Sequence, residues 1–259
     1  SVATTMRNNK PPKLAFCFLF ISFIGIANAQ DVHFWGVLPT YTQTTPLSKK
    51  FDWLTFFGNA INPTEHHFQA LDYPGADVRL QFNNGLVYKP AKNISVVAGL
   101  IYQSNFAFED RRINEWRPYQ QVTLSHYFST VKISHRFRFS ERFIQNKATG
   151  NYPLTTMLQY NASFLVPLKG KTIEPKEFYV TFYADNFFFL SGPNKFDSFG
   201  EFWTNASLGY NFGKMGKVQS GFTYEWLARD RAEDKRRMYL FSADYITNFD
   251  IFGVHKKKK

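Results

Sequence analysis

From about Val78 to Tyr245, apolar and polar residues alternate one by one in short segments separated by turn residues. The clearest segment carries Leu154, Leu158, Tyr160, Ala162, Phe164 and Val166 on one face and Thr155, Gln159, Asn161 and Ser163 on the other. Successive side chains of a strand point to opposite sides, so a period of two sustained this long predicts strands with one face in water and one in lipid or core. Candidate strands span 32–43, 51–61, 77–89, 93–105, 119–129, 131–144, 154–167, 177–190, 199–212, 218–229 and 238–249. Single-chain bacterial barrels use even strand numbers, and Pro39, Pro46 and Pro63 interrupt the first two segments and demote them. The expectation is an all-β, up-and-down antiparallel transmembrane β-barrel of ten or twelve strands.

The expected connections alternate in length. Those near 89–93, 129–131, 169–176 and 213–217 are short, whereas those near 62–76, 106–118, 145–153, 191–198 and 230–237 are mostly longer. Outer-membrane barrels have this asymmetry, with short periplasmic turns and longer extracellular loops. Repeated hairpins also imply a meander. In the hairpin 119–144, a tight turn at Thr130 and Val131 sets Phe128 against Ile133, His126 against His135 and Leu124 against Phe137. Ser125 then faces Arg136 and Thr123 faces Arg138, so that like meets like at every rung and the register is fixed. Alternation alone does not orient the apolar face. A soluble lipocalin-like barrel turns it inward around a greasy ligand but has eight strands; the larger strand number and the bulky charges on the polar face favour an outward apolar face.

The first 29 residues fall outside this pattern and read as an export signal. Arg7, Lys10 and Lys13 precede the apolar run Leu14 to Ile26, and Ala27, Asn28 and Ala29 supply a small-x-small cleavage site after Ala29. Met6 is the expected initiator, with Ser1 to Thr5 an upstream extension. Cys17, the single cysteine, lies within the signal, so the mature chain is expected to hold no disulfide and no zinc-binding thiol. Residues 30–253 then form one barrel domain and 254–259 a basic tail. No later stretch approaches the roughly 18 apolar residues of a spanning helix, which leaves a closed barrel as the way to cross lipid.

Composition sharpens this picture. Aromatic residues make up 19% of the chain, including 30 Phe, against 44% hydrophobic residues in all, as a lipid-facing wall with aromatic girdles around a polar interior requires. Taking the three basic signal residues from the net charge of +11 leaves +8, and setting aside Lys256 to Lys259 leaves +4. The body is therefore only mildly basic, and without a clustered basic-aromatic element nucleic acid is not an expected partner.

The polar faces carry Arg79, Lys132, Arg136, Arg138, Arg142 and Arg229 together with Glu177, Asp185, Glu201, Glu225 and Asp244. Such charges either pair inside the barrel and fill it or form a basic ladder guiding an anionic solute. Trp203 and Tyr183 add bulk to the same face. A lipase or deacylase would need a nucleophile within reach of a base. None of His33, His66, His67, His126, His135 and His255 is followed by Ser two residues on, and Ser134 points away from its neighbour His135. His126 and His135 face one another on the apolar side, but two ligands are too few for a structural zinc site. The mixed-sign segments 109–112 and 229–237 read as hairpin tips whose Arg forks suit lipopolysaccharide phosphates.

Glu115-Trp116-Arg117-Pro118-Tyr119-Gln120-Gln121, followed by Ser134-His135-Arg136-Phe137-Arg138-Phe139 and Glu141-Arg142-Phe143, resembles a family of exported bacterial proteins catalogued as domain of unknown function 2490. The resemblance implies an outer-membrane barrel of the Bacteroidetes type, with Glu115, Arg117, Pro118, Gln120, His135, Arg136, Arg138 and Arg142 as its motif; it implies no activity. The resulting expectation is a structural barrel or narrow pore of the bacterial outer membrane. The alternatives are an accessory subunit of an export or uptake complex and a lipid-modifying enzyme. No catalytic residue, metal or cofactor is expected. The expected partners are outer-membrane lipids, lipopolysaccharide among them, and proteins of an envelope complex.

Overall fold

A computed structural model describes residues 32–63, 66–68, 71–73, 76–106, 112–193, 199–228 and 235–254. The expected signal and Lys256 to Lys259 lie outside the described residues. Thirteen strands follow in chain order: β1 (Val32–Pro46), β2 (Phe51–Asn62), β3 (His66–Phe68), β4 (Leu71–Tyr73), β5 (Ala76–Ala91), β6 (Ile94–Asn105) and β7 (Ile113–Phe128), then β8 (Val131–Ile144), β9 (Leu154–Pro167), β10 (Phe178–Ser191), β11 (Phe199–Asn211), β12 (Lys217–Ala228) and β13 (Lys235–Thr247). β3 and β4 pair only with each other, and the rest form a closed barrel in the order β1-β13-β12-β11-β10-β9-β8-β7-β6-β5-β2.

The expected up-and-down barrel is therefore present, and its ring holds eleven strands, between the ten and twelve anticipated from even pairing. The ring closes because β1 and β13 run parallel, with Trp35 beside Tyr239 and Thr42 beside Ile246. Every other junction is antiparallel. Both N-terminal segments demoted for their prolines are full members of the ring. Pro46 ends β1, Pro63 follows β2, and the β1–β2 ladder keeps one register from Val37↔Ile61 to Thr40↔Gly58 while skipping Leu38 and Pro39. A proline lacks only its N–H, so a wall can absorb it as one missing rung. Pro118 repeats the device in β7, whose ladder with β8 skips Arg117 and Pro118 without changing register.

The hairpin at 129–130 departs from its expected pairing by two residues. Phe128 faces Val131, His126 faces Ile133 and Leu124 faces His135. Ser129, at φ 56°, takes the left-handed conformation that a tight two-residue hairpin needs, which moves the turn one residue earlier than Thr130–Val131. A two-residue shift keeps each side chain on its face, so His126 and His135 still stack on the outside, diagonally, at 5.4 Å.

The outer face is the apolar one. Phe222 is 65% exposed and Leu208 52%, whereas Ser207 and Glu225, one face over, are 4% and 0% exposed. Aromatic contacts gather toward both ends of this wall: Trp35–Tyr239 and Tyr102–Trp116 near one, Phe51–Tyr88, Tyr41–Tyr245 and Phe178–Tyr210 near the other. The connections differ by end as well. One rim carries 47–50, 92–93, 129–130, 168–177 and 212–216; the opposite rim carries 63–75, 106–112, 145–153, 192–198 and 229–234. We call these the short-turn and long-loop rims, although 168–177 is longer than every opposite connection except 63–75.

Candidate functional site: the charged lumen

Strand alternation aims one side chain in two into the barrel, and there polar groups are buried at close quarters. Arg79, Lys132, Arg136, Arg138, Arg142, Asp185, Glu201, Glu225 and Asp244 lie on luminal positions, as do Tyr183 and Trp203. Glu177 does not: it belongs to the turn 168–177, where Oε2 accepts the Glu174 backbone N–H at 3.0 Å. Its place in the alternation is luminal, but β10 begins one residue later at Phe178. Arg229 falls outside the described residues.

In the half of the lumen toward the long loops, side chains meet from opposite walls. Arg79 on β5 makes a double bond-pair with Glu225 on β12, Nη1 to Oε2 and Nη2 to Oε1, both 2.6 Å. Its guanidinium also lies 4.9 Å from the ring centre of Trp203 on β11, nearly opposite β5 in the ring. Trp203 in turn packs on Phe187 at 4.8 Å. A second knot is built on Glu115, which accepts Arg142 Nε at 2.7 Å and Nη2 at 2.9 Å, and Arg117 Nε at 2.6 Å. Glu201 lies 3.8 Å from Arg142 Nη1. Both knots are nearly excluded from solvent: Glu115 is 4% and Arg142 8% exposed. Apolar groups fill the spaces between. Phe34, Ala60, Val78, Met238 and Leu240 form one cluster, and Met157, Phe187 and Phe189 another.

Toward the short turns the neutral groups stay buried while the cations nearest the mouth, Arg136, Lys132 and Lys217, keep contact with water. Arg136 pairs with both oxygens of Asp185 at 2.9 and 3.0 Å, but its side chain keeps 27% of its exposure. Gln159 donates to the same carboxylate at 2.9 Å. Arg138 is held by neutral groups, with Nε and Nη2 on Gln121 Oε1 at 3.0 and 2.8 Å and its plane over Tyr119 at 4.4 Å. Tyr119 donates to Asn83 at 3.0 Å. Its ring fits against the wall because Gly99 stands opposite, where a Cβ would come within 2.6 Å of it. Lower still, Thr40 donates to Asp244 at 2.7 Å across the parallel seam, and Thr181 to Gln219 at 3.0 Å.

The expected strand 119–129 leaves Glu115 and Arg117 in the connection 106–118, whereas the structure places both in β7. The signal was present: Glu115, Arg117, Tyr119 and Gln121 alternate with Trp116, Pro118, Gln120 and Val122, and β7 begins at Ile113. The motif thus divides by face, with Glu115, Arg117, Arg136, Arg138 and Arg142 luminal and Pro118, Gln120 and His135 on the outer side. His135 Nδ1 bonds the Tyr160 hydroxyl there at 2.8 Å. Among the described residues no group of three or more His, Cys, Asp or Glu converges as metal ligands.

An apolar-out, charged-in antiparallel wall closed on itself defines a β-barrel with an ion-paired lumen. The chain belongs to the family described as Protein of unknown function (DUF2490), whose model matches residues 35–236, a span that holds every luminal arginine and acid named above except Asp244. No curated protein and no solved structure matches the chain.

Proposed function

We propose that this protein is an outer-membrane β-barrel that serves the envelope as a closed structural barrel and not as an open pore. The outer wall supports a membrane setting, because exposed Phe222, Leu208 and Phe241 at mid-strand, with aromatic pairs toward both rims, are what a lipid-spanning barrel requires. The single observation that carries the closed reading is the strut from Arg79 to Glu225 and Trp203, which joins opposite walls at 2.6 and 4.9 Å. Ring size alone leaves the matter open, since eight strands are filled by their own side chains and about 16 leave a channel. Here long side chains occupy the cross-section. An ion-paired plug of this kind fills and stiffens a barrel, whereas a solute pathway would need charged groups with free water before them. No catalytic step belongs to this reading.

The test is conductance of the purified protein in planar bilayers. The wild type is expected to show little or no current, and replacing Arg79 and Glu225 together with Ala is expected to produce small, noisy openings. A large, stable, anion-selective conductance from the unmodified protein refutes the closed reading and makes the arginines a solute path.

A further inference from the structure

Among the described residues the exposed lysines gather at one rim, although half-buried Lys147 lies in 145–153 and Lys235 opens β13 at the other. Lys49 and Lys50 sit in 47–50, Lys92 in 92–93, Lys169, Lys171 and Lys176 in 168–177, and Lys214 in 212–216, all exposed and all on the short-turn rim. Lys132 and Lys217, half-buried, flank the lumen mouth at the same end. Glu174 and Glu177 are the only acids in the five turns. The arginines avoid this rim; those on described strands lie in the lumen or toward the long loops.

Each cation cluster has an exposed apolar side chain beside it. Leu47 precedes Lys49, Leu168 precedes Lys169, and Phe212 and Met215 bracket Lys214, with exposures of 39, 57, 44 and 63%. Phe128, at the one turn without lysine, is 72% exposed. Behind them on the wall stand Phe51–Tyr88 and Phe178–Tyr210. A flexible ammonium next to an apolar anchor, just beyond an aromatic pair, is the chemistry of an interface where hydrocarbon ends and charged headgroups begin. The turns concerned lie between β1 and β2, β5 and β6, β9 and β10, and β11 and β12, so the cations surround the barrel. A protein partner would engage one sector; a lipid leaflet meets every side at once. Lysine also suits this role, being a mobile point charge that answers to a surface field, where arginine is chosen for fixed forks.

We propose that the short-turn rim is a lysine collar that binds anionic phospholipid headgroups, holding an annulus of such lipids in the leaflet on that side. The inference rests on the membrane reading above and adds the lipid class and the end of the barrel that selects it. It is independent of whether the lumen conducts.

The test uses the full chain reconstituted in phosphatidylcholine vesicles containing a minor fraction of phosphatidylglycerol, with spin-labelled lipids of each kind reporting which associates with the barrel. Phosphatidylglycerol is expected to be preferred by about fivefold or more, the factor that one lysine near an anionic surface supplies. The preference should collapse in about 1 M salt, where the screening length falls to roughly 3 Å. It should also fall toward unity in the combined variant K49Q, K50Q, K92Q, K169Q, K171Q, K176Q and K214Q, whose exposed positions leave heat-resistant migration unchanged. No preference in the wild type, or one that survives both treatments, overturns the collar. Soluble polyglutamate binding without any lipid preference overturns it in favour of an acidic polypeptide. Protein that fails to float with vesicles overturns the membrane reading itself, a result read separately from lipid selectivity.

Discussion

Glu225→Gln is the most informative single perturbation of this barrel. Glu225 is fully buried and receives two 2.6 Å bonds from Arg79, itself 7% exposed and lying over Trp203. Removing the carboxylate's charge leaves a guanidinium buried in the lumen with a weak acceptor and an aromatic face. Breaking one side of a buried pair typically costs about 3–5 kcal/mol. The aromatic face returns only about 0.5–2 kcal/mol, and it does so in the wild type as well, so it does not offset the loss. The net expectation is a destabilisation of about 3 kcal/mol or more, a shift of over a hundredfold in the folding equilibrium. The double variant Arg79→Met with Glu225→Leu removes both charges and keeps apolar volume; such replacements are often neutral or stabilising. The assay is urea unfolding of the reconstituted barrel, followed by tryptophan fluorescence and by gel mobility without boiling. A loss below about 1 kcal/mol for Glu225→Gln, or a double variant as unstable as the sum of its singles, would refute the claim that the strut is a desolvated cross-lumen pair.

Three further outcomes follow from the wall and its turns. Phe222→Arg, at mid-strand on the outer face, should lower folding yield into vesicles and cost about 2–4 kcal/mol, whereas at an exposed site of a water-soluble protein it would be nearly silent. Ser129→Val should cost about 1–2 kcal/mol because the residue must hold a left-handed conformation, while Ser129→Gly should cost nothing measurable by urea midpoint. Gly99→Ala should destabilise by about 1–3 kcal/mol, since its Cβ would stand 2.6 Å from both the Tyr119 ring and the Asn84 carbonyl oxygen; the fluorescence-detected urea midpoint reports it.

Strand alternation was legible because it repeats a simple physical constraint, and it located most luminal charges from the residues alone. Three features were not. The two-residue slip of the 129–130 hairpin preserves every face, so apolar-to-apolar matching could not distinguish Phe128↔Ile133 from Phe128↔Val131; the left-handed Ser129 decides it. Proline reads as a breaker at Pro39, Pro46 and Pro63, yet the wall absorbs a missing rung at Pro39, and again at Pro118, where the ladder resumes in the same register. Glu115 and Arg117 fall in the expected connection 106–118, although they anchor the buried knot with Arg142. The strand number depends on how the ends of the ring meet, and no local pattern in β1 or β13 announces that they will run side by side in the same direction. Pairings across the lumen, such as Arg79 with Glu225, depend on that closure and lie beyond any period in the chain.

The parallel seam also settles the bookkeeping of sides. A chain that crosses a partition an odd number of times finishes on the far side from where it began, so whatever precedes Val32 is tethered to the long-loop rim and whatever follows Thr247 to the short-turn rim. In the membrane setting proposed above, reporter domains fused at the two ends would therefore sample opposite compartments, and a protease confined to one compartment would remove one reporter and spare the other. Closure also depends on the two most distant strands of the ring: without β13 in place β1 has a bare edge, and the wall is sealed only where the last strand meets the first.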